Sequence, residues 1–317
     1  MATSGVYSFS VSRDDIIRQA MLNLKRLDPD DSPTPSEASD CARVLNMMCK
    51  QWMGKSDFAP GLKVWTRKRG YRLLSNTNQY TVGPAATGWT NALTVTALSV
   101  SAVIGATVVT VAAIAGFTTA YNIAVQLDSG TMFYTTINGA PAGNVVTLTL
   151  ALPSSATYGN AVYCYQTAAQ NIKALETVIL RDNTYNDIPL SLMLVNTYDQ
   201  LSSKVDPTNV GDPTAIYFEE GLKSSIIYTD VGSSNDISKY IVITYQEPIQ
   251  DFVNPLDEPY YPQEWFLALC WGLSEQIAPM FSASWNEKME NLKSTALAIA
   301  RNHSAEKSDM YFQPGND

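Results

Sequence analysis

Histidine is almost missing from this chain: one in 317 residues, His303. A Ser/His/Asp or Cys/His triad would have to be built on that residue alone. Its place near the end of a C-terminal helix gives it a structural reading too, as a cation facing the helix's negative end. Basic residues are also scarce, 21 Lys and Arg against 30 Asp and Glu, for a net charge of −9. A broad basic field for neutralising phosphates is therefore lacking, which argues against strong DNA binding by a single free copy. No cysteine pair has CxxC spacing. Cys41 and Cys49 are expected on one helix about 12 Å apart, beyond disulfide reach, while Cys164 and Cys270 stand alone. The sequence holds no GxxxxGK[ST], no GxGxxG after a strand, no HExxH and no EF-hand loop, so nucleotide, zinc-protease and calcium chemistry have no foothold. No cofactor and no metal site are expected. The opening MATSGVYSFSVSRDD lacks the charged and then apolar regions of a secretion signal, so the chain is expected to be made in the cytoplasm.

Charge itself disappears between Arg72 and Lys173, where Asp128 is the only charged residue. The uncharged stretch Leu93 to Phe117 raises the question of a membrane span. Its many Thr and Ser and its two-residue alternation argue for strands instead. Residues 85–170 therefore read as a separate all-β module, a sandwich or barrel. Its strands are expected near 93–100, 107–112, 123–127, 132–137, 145–150 and 161–166, with turns at Gly130, Asn138-Gly139 and Gly143-Asn144. Strands also flank it, at 62–82 and then at 174–181, 188–194, 216–218, 226–229 and 240–245.

Helical periodicity is confined to the two ends. Over 12–27, Ser12 and Asp15 suggest a capping box, and Ile16, Ile17, Ala20, Met21, Leu24 and Leu27 share a face. Over 35–55, Thr34, Pro35 and Glu37 form a strong start, and Cys41, Val44, Leu45, Met48 and Trp52 form the stripe. Further helices are expected over 262–278, apolar around most of its circumference and stopped or kinked at Pro279, and over 285–301. The expected fold class is α+β: a helical bundle from N- and C-terminal helices and a discontinuous small β region, spanning 1–84 and 171–317, with the β module of 85–170 inserted as an excisable unit. Residues 304–317 form a tail.

Several residue groups could carry function. Lys63, Arg67, Lys68, Arg69 and Arg72 form the one basic run, interleaved with Trp65 and Tyr71; it could touch DNA phosphates or an acidic partner, or simply be a solvated strand face. Trp52, Trp65, Trp265, Trp271 and Trp285 suit either a core or contacts between subunits. Met310, Tyr311 and Phe312 interrupt a polar tail, as in a segment that orders when its aromatics enter a partner's pocket; a frayed terminus is the alternative. Asp257, Glu258 and Glu264 lie beside aromatics and could in principle cleave a glycan. Glu264 has the plainer role of an acid in the first turn of a helix. No catalytic residue is assigned on this basis.

Four segments, in order, carry a resemblance: the helical pair ending at Gln51-Trp52, VWTRKRGYRLLSNTNQYTVG at 64–83, GDPTAIYF at 211–218, and ITYQEPIQDF followed by PQEWFLALCWGLSEQIAPMF over 243–281. Together they resemble the head-to-tail adaptors of short-tailed bacteriophages, the tail accessory factors or packaged-DNA stabilisation proteins related to tail tubular protein A. The 85–170 module departs from the minimal adaptor. The resemblance implies a non-enzymatic virion protein at the head–tail junction, a ring of about twelve copies on the portal that extends the DNA channel. It also implies partners: the portal, the downstream tail, nozzle or fibre proteins, and duplex DNA passing without sequence-specific binding, with no membrane involved. In that family the C-terminal region docks into the portal, which makes Met310, Tyr311 and Phe312 the portal-binding candidates. A glycan-hydrolysing tail protein and a tail-tube or fibre component are the alternatives.

Overall fold

The computed structural model describes residues 8–54, 66–75, 77–84, 88–168, 171–202, 204, 208–221, 224–233 and 239–304. The chain is α+β. It divides into two compact units, one from residues 1–66 and 248–317, the other from 67–247. Among the described residues there are five α-helices: α1 (Arg13–Asn23), α2 (Pro35–Trp52), α3 (Val195–Asp199), α4 (Phe266–Ile277) and α5 (Glu287–Ser304).

The first unit is helical. Both leading helices begin with the reciprocal capping that their sequence encodes. Ser12 Oγ accepts from Asp15 N–H and Thr34 Oγ1 from Glu37 N–H, while each carboxylate reaches back to the cap. These bonds hold the Asp15 and Glu37 carboxyls below their ordinary range. α1 stops at Asn23, four residues short of the expected end. Lys25 turns left-handed at φ 56°, Lys25 N–H donates to Leu22 O at 2.9 Å, and Arg26 N–H donates to Met21 O at 3.0 Å. This is a Schellman closure made without glycine. α4, nearly all apolar, is buried because α1, α2 and α5 pack around it. Trp265, Leu269, Leu273 and Ile277 meet Ile17, Met21, Leu45 and Met48 in one core. Pro279 lies in a 3₁₀ turn, Ala278–Phe281, that follows α4 and ends at Ser282 with φ 51°.

The second unit is built of sheets. An antiparallel five-stranded sheet has the order Asp187–Pro189, Ala174–Asp182, Lys239–Gln246, Arg67–Leu73, Trp89–Thr90. Its central strand reads KYIVITYQ, and Tyr240, Ile241, Val242, Ile243 and Tyr245 are all buried, as a strand covered on both faces requires. The expected strand 188–194 is instead two strands. Asp187–Pro189 stays in this sheet, and Ser191–Met193 pairs in parallel with Ala215–Glu219 in a second sheet completed by Ser225–Thr229 and Gln79–Val82. The chain changes sheets at the buried Leu190.

Between residues 88 and 168 lie a four-stranded antiparallel sheet, Leu93–Ala97, Ala161–Tyr165, Asn122–Gln126, Met132–Thr136, and a ribbon of Val108–Thr110 with Val145–Thr147. Among the described residues no helix is long and apolar enough to cross a membrane, and the stretch from Leu93 lies in these strands and their turns. The strand Ala161–Tyr165 is buried throughout because it divides two cores. Val162 and Cys164 join Ile123, Val125 and Val146 on one side, while Ala161, Tyr163 and Tyr165 join Leu180, Tyr240 and Tyr245 on the other. Tyr163 meets Tyr240 edge-on at 5.9 Å. Excising 86–168 would therefore open the neighbouring core, contrary to the expectation of a cleanly removable insert.

Candidate interaction surfaces

The segment from Ile249 to Asp257 in the first unit has no regular structure and is nevertheless tied down at every step. Ile249 N–H donates to Met53 Sδ at 3.1 Å, and Lys50 Nζ donates to Ile249 O at 2.7 Å and pairs with Asp251 at 2.6 Å. Asn46 on α2 clamps Phe252 from both sides, its amide donating to Phe252 O and its carbonyl accepting from Phe252 N–H, each at 2.9 Å. Further on, the loop caps α1: Arg13 N–H donates to Asp257 O at 2.8 Å and Asp14 N–H to Pro255 O at 3.2 Å. Two donors that a helix N-terminus leaves unpaired are thus satisfied by a distant segment. Asp257 closes the loop on itself, accepting from Val253 N–H and Asn254 N–H, both at 2.7 Å.

What this bracing presents is apolar. Leu256 is 82% exposed and Val253 is exposed beside it. Next to them lies an open groove of about 710 Å³ of mixed character, lined by Pro33, Pro35, Ala38, Ala42, Phe252 and Val253 and equally by Arg13, Asp14, Ser39, Arg43 and Asn46. Apolar side chains held out on a rigid frame are suited to docking, because little conformational freedom remains to be lost on contact.

The carboxylates considered for glycan cleavage sit in the same region. The hydrogen bonds from Asn254 and Val253 hold the Asp257 carboxyl below its ordinary range, whereas a general acid needs the opposite shift. Glu258 and Glu264 are exposed, Glu258 at a second groove with Ser8, Phe9 and Phe266. His303 falls in the last turn of α5. Among the described residues no group of His, Cys, Asp and Glu could hold a metal ion.

Of the tryptophans, Trp265 is fully buried, with Trp52 packed on it at 6.0 Å and Tyr261 at 5.6 Å; Trp271 and Trp285, half-buried, meet edge-on at 6.5 Å. These four pack within their own unit. Trp65, Lys63, Met310, Tyr311 and Phe312 lie outside the described residues.

In the second unit the basic run lies on the strand Arg67–Leu73, where its members have different surroundings. Arg67 is paired with Glu176 at 2.5 Å and Lys68 with Glu247 at 3.5 Å. Arg72 lies across the Tyr80 ring, 5.7 Å from its centroid, and its guanidinium fills the space beside Gly88 that any side chain there would need. Arg69 is exposed. Sequence spacing gave no sign of these partners, since both approach from the same side of the sheet, Glu247 just past the end of the paired strand Lys239–Gln246 and Glu176 on the strand beyond it. Nor did the sequence single out the 253–256 loop: its value lies in backbone bonds to residues some two hundred positions away.

Comparison of the sequence with protein-family models and with curated proteins finds no match.

Proposed function

We propose that this chain is a structural adaptor of a short-tailed bacteriophage, a non-enzymatic virion protein that forms a ring between portal and tail. The ring extends the DNA channel, retains and conducts the genome, and offers a platform to the next tail, nozzle or fibre proteins. In this reading the first unit is a helical bundle and the 85–170 stretch a sandwich- or barrel-like module carried on the adaptor core.

The observation that carries the reading is where the resembling segments fall. ITYQEPIQDF ends at Phe252, the residue clamped by Asn46, and PQEWFLALCWGLSEQIAPMF supplies α4, around which the first unit packs. The same stretches thus frame the braced loop with Val253 and Leu256, a surface suited to protein contact and not to catalysis. Rings need two different complementary patches on each subunit, and a rigid apolar projection beside a groove of mixed polar and apolar lining offers two such patches. The net charge of −9 suits a conduit, because acidic walls keep duplex DNA from adhering. Arg67 and Lys68, already paired with carboxylates, present less free positive charge than their sequence suggests.

Immunogold labelling of intact virions with antibodies against this chain tests the assignment. Label at the head–tail junction is the expected result. Label along the tail or at fibre tips would favour the tube or fibre reading, and glycan cleavage by the purified protein would favour the hydrolase.

A further inference from the structure

We infer that the β module of residues 85–170 is itself a self-association surface, on which Val100, Val103, Ile104 and Tyr158 seat against the module of a second copy of this chain. The inference rests on the ring reading and adds to it a contact that the minimal adaptor lacks.

Four observations carry it. Val103 is 71% exposed, Ile104 69% and Tyr158 70%, an apolar concentration unlike isolated surface residues. Val100 and Tyr158 are neighbours because residues 98–105 run antiparallel to 152–160, and Val103 and Ile104 follow Val100 where the same segment enters a turn. Leu98 N–H donates to Asn160 O at 2.9 Å, Ala102 and Ala156 pair, and Gly105 N–H donates to Leu152 O at 2.8 Å, a register that sets Val100 opposite Tyr158. The surface is also stiff. Asp128 accepts from Thr157 N–H at 2.8 Å and from Asn160 Nδ2 at 3.0 Å, and Tyr158 N–H donates to Ser101 Oγ at 2.9 Å. Little ordering remains to be done on contact.

The fourth observation selects the occupant. Asp128 is the only charge between Arg72 and Lys173, and it is consumed in holding this loop. The other 29 acidic residues (30 less Asp128) and all 21 basic ones lie outside that stretch. Copies of an acidic chain repel one another through their charged faces and meet without that penalty through this one. A charged partner would find no counter-charge here. A bilayer would find none of the Lys and Arg that ordinarily flank a membrane-seated apolar patch.

Sedimentation velocity on the full-length chain tests this, alone and mixed with the portal ring, for wild type, Ile104→Asp and the milder pair Val103→Ser with Ile104→Ser. Both variants should keep the wild-type melting temperature, because the residues are exposed. Both should weaken self-association, Ile104→Asp by about tenfold or more. Variants that assemble as wild type does overturn the inference, and so does a wild-type chain that floats with phosphatidylcholine vesicles instead of associating with itself. Failure of the adaptor reading looks different: the wild type then ignores the portal ring altogether.

Discussion

Gly272 in the middle of α4 should resist replacement by alanine, against the ordinary rule. In a helix interior Gly→Ala is usually stabilising by about 1 kcal/mol, since alanine restricts the unfolded chain and glycine does not. At Gly272 a Cβ would lie 2.7 Å from Trp52 Cζ2, 2.9 Å from Trp52 Cη2 and 3.0 Å from Met48 Sδ. Each is inside ordinary van der Waals contact, and Trp52 cannot simply swing away, because its ring packs on Trp265 at 6.0 Å. Overpacking of this kind costs about 1–3 kcal/mol. After the propensity gain the net should be a destabilisation of up to about 2 kcal/mol, lowering the melting temperature of the helical unit by up to about 6 °C. Tryptophan fluorescence suits the assay, since Trp52, Trp265, Trp271 and Trp285 all lie in that unit. A double-mutant cycle with Trp52→Leu should show the two changes partly cancelling, because the smaller side chain vacates the space the new methyl needs. A rise in melting temperature for Gly272→Ala, or strict additivity in the cycle, would refute the packing argument.

Three further expectations follow from local geometry. All four cysteines are buried, and desolvation pushes their thiols up, Cys41 and Cys164 to about 11 and Cys49 and Cys270 to about 12. At pH 8 none should react with Ellman's reagent until the protein unfolds, and a fast-reacting native thiol would contradict this. Hydrogen bonds from Ser155, Thr157 and Asn160 hold the Asp128 carboxyl down at about 2, against an ordinary 3.8. Because its folded value is depressed, its stabilising contribution is complete above about pH 4 and is lost as the pH falls through about 2. Asp128→Ala should abolish that acid dependence in the 155–160 loop, read by amide exchange. Lys25→Gly should stabilise α1 by about 0.5–1 kcal/mol, because Lys25 carries φ 56° at a position glycine prefers; a lower melting temperature would show that its side chain contributes more than its backbone costs.

The sequence disclosed the parts whose signals are local. Ser12 with Asp15 and Thr34 with Glu37 mark two helix starts, because capping is settled within four residues. The strands of the β module fall where alternation placed them, and Gly130, Gly139, Gly143 and Asn144 take positive φ at the expected turns. Other features depend on the rest of the fold. Leu27 continues the apolar spacing of α1, so only Lys25's backbone reveals that the helix has already ended. Alternation runs unbroken through Leu190 although the chain changes sheets there, and the short α3 left no periodicity long enough to read. The apolar stripe of the leading helices announced a buried face and α4 its burial, yet the loop between the second unit and α4 looked merely irregular. Its rigidity comes from Asn46, Lys50 and the free N–H groups of α1, partners that no window along the chain contains.

The central claim is tested most directly by native mass spectrometry of the purified protein, alone and mixed with the portal ring. One portal ring carrying about twelve copies of this chain is the outcome the adaptor reading requires. A chain that stays monomeric and leaves the portal ring bare would contradict it.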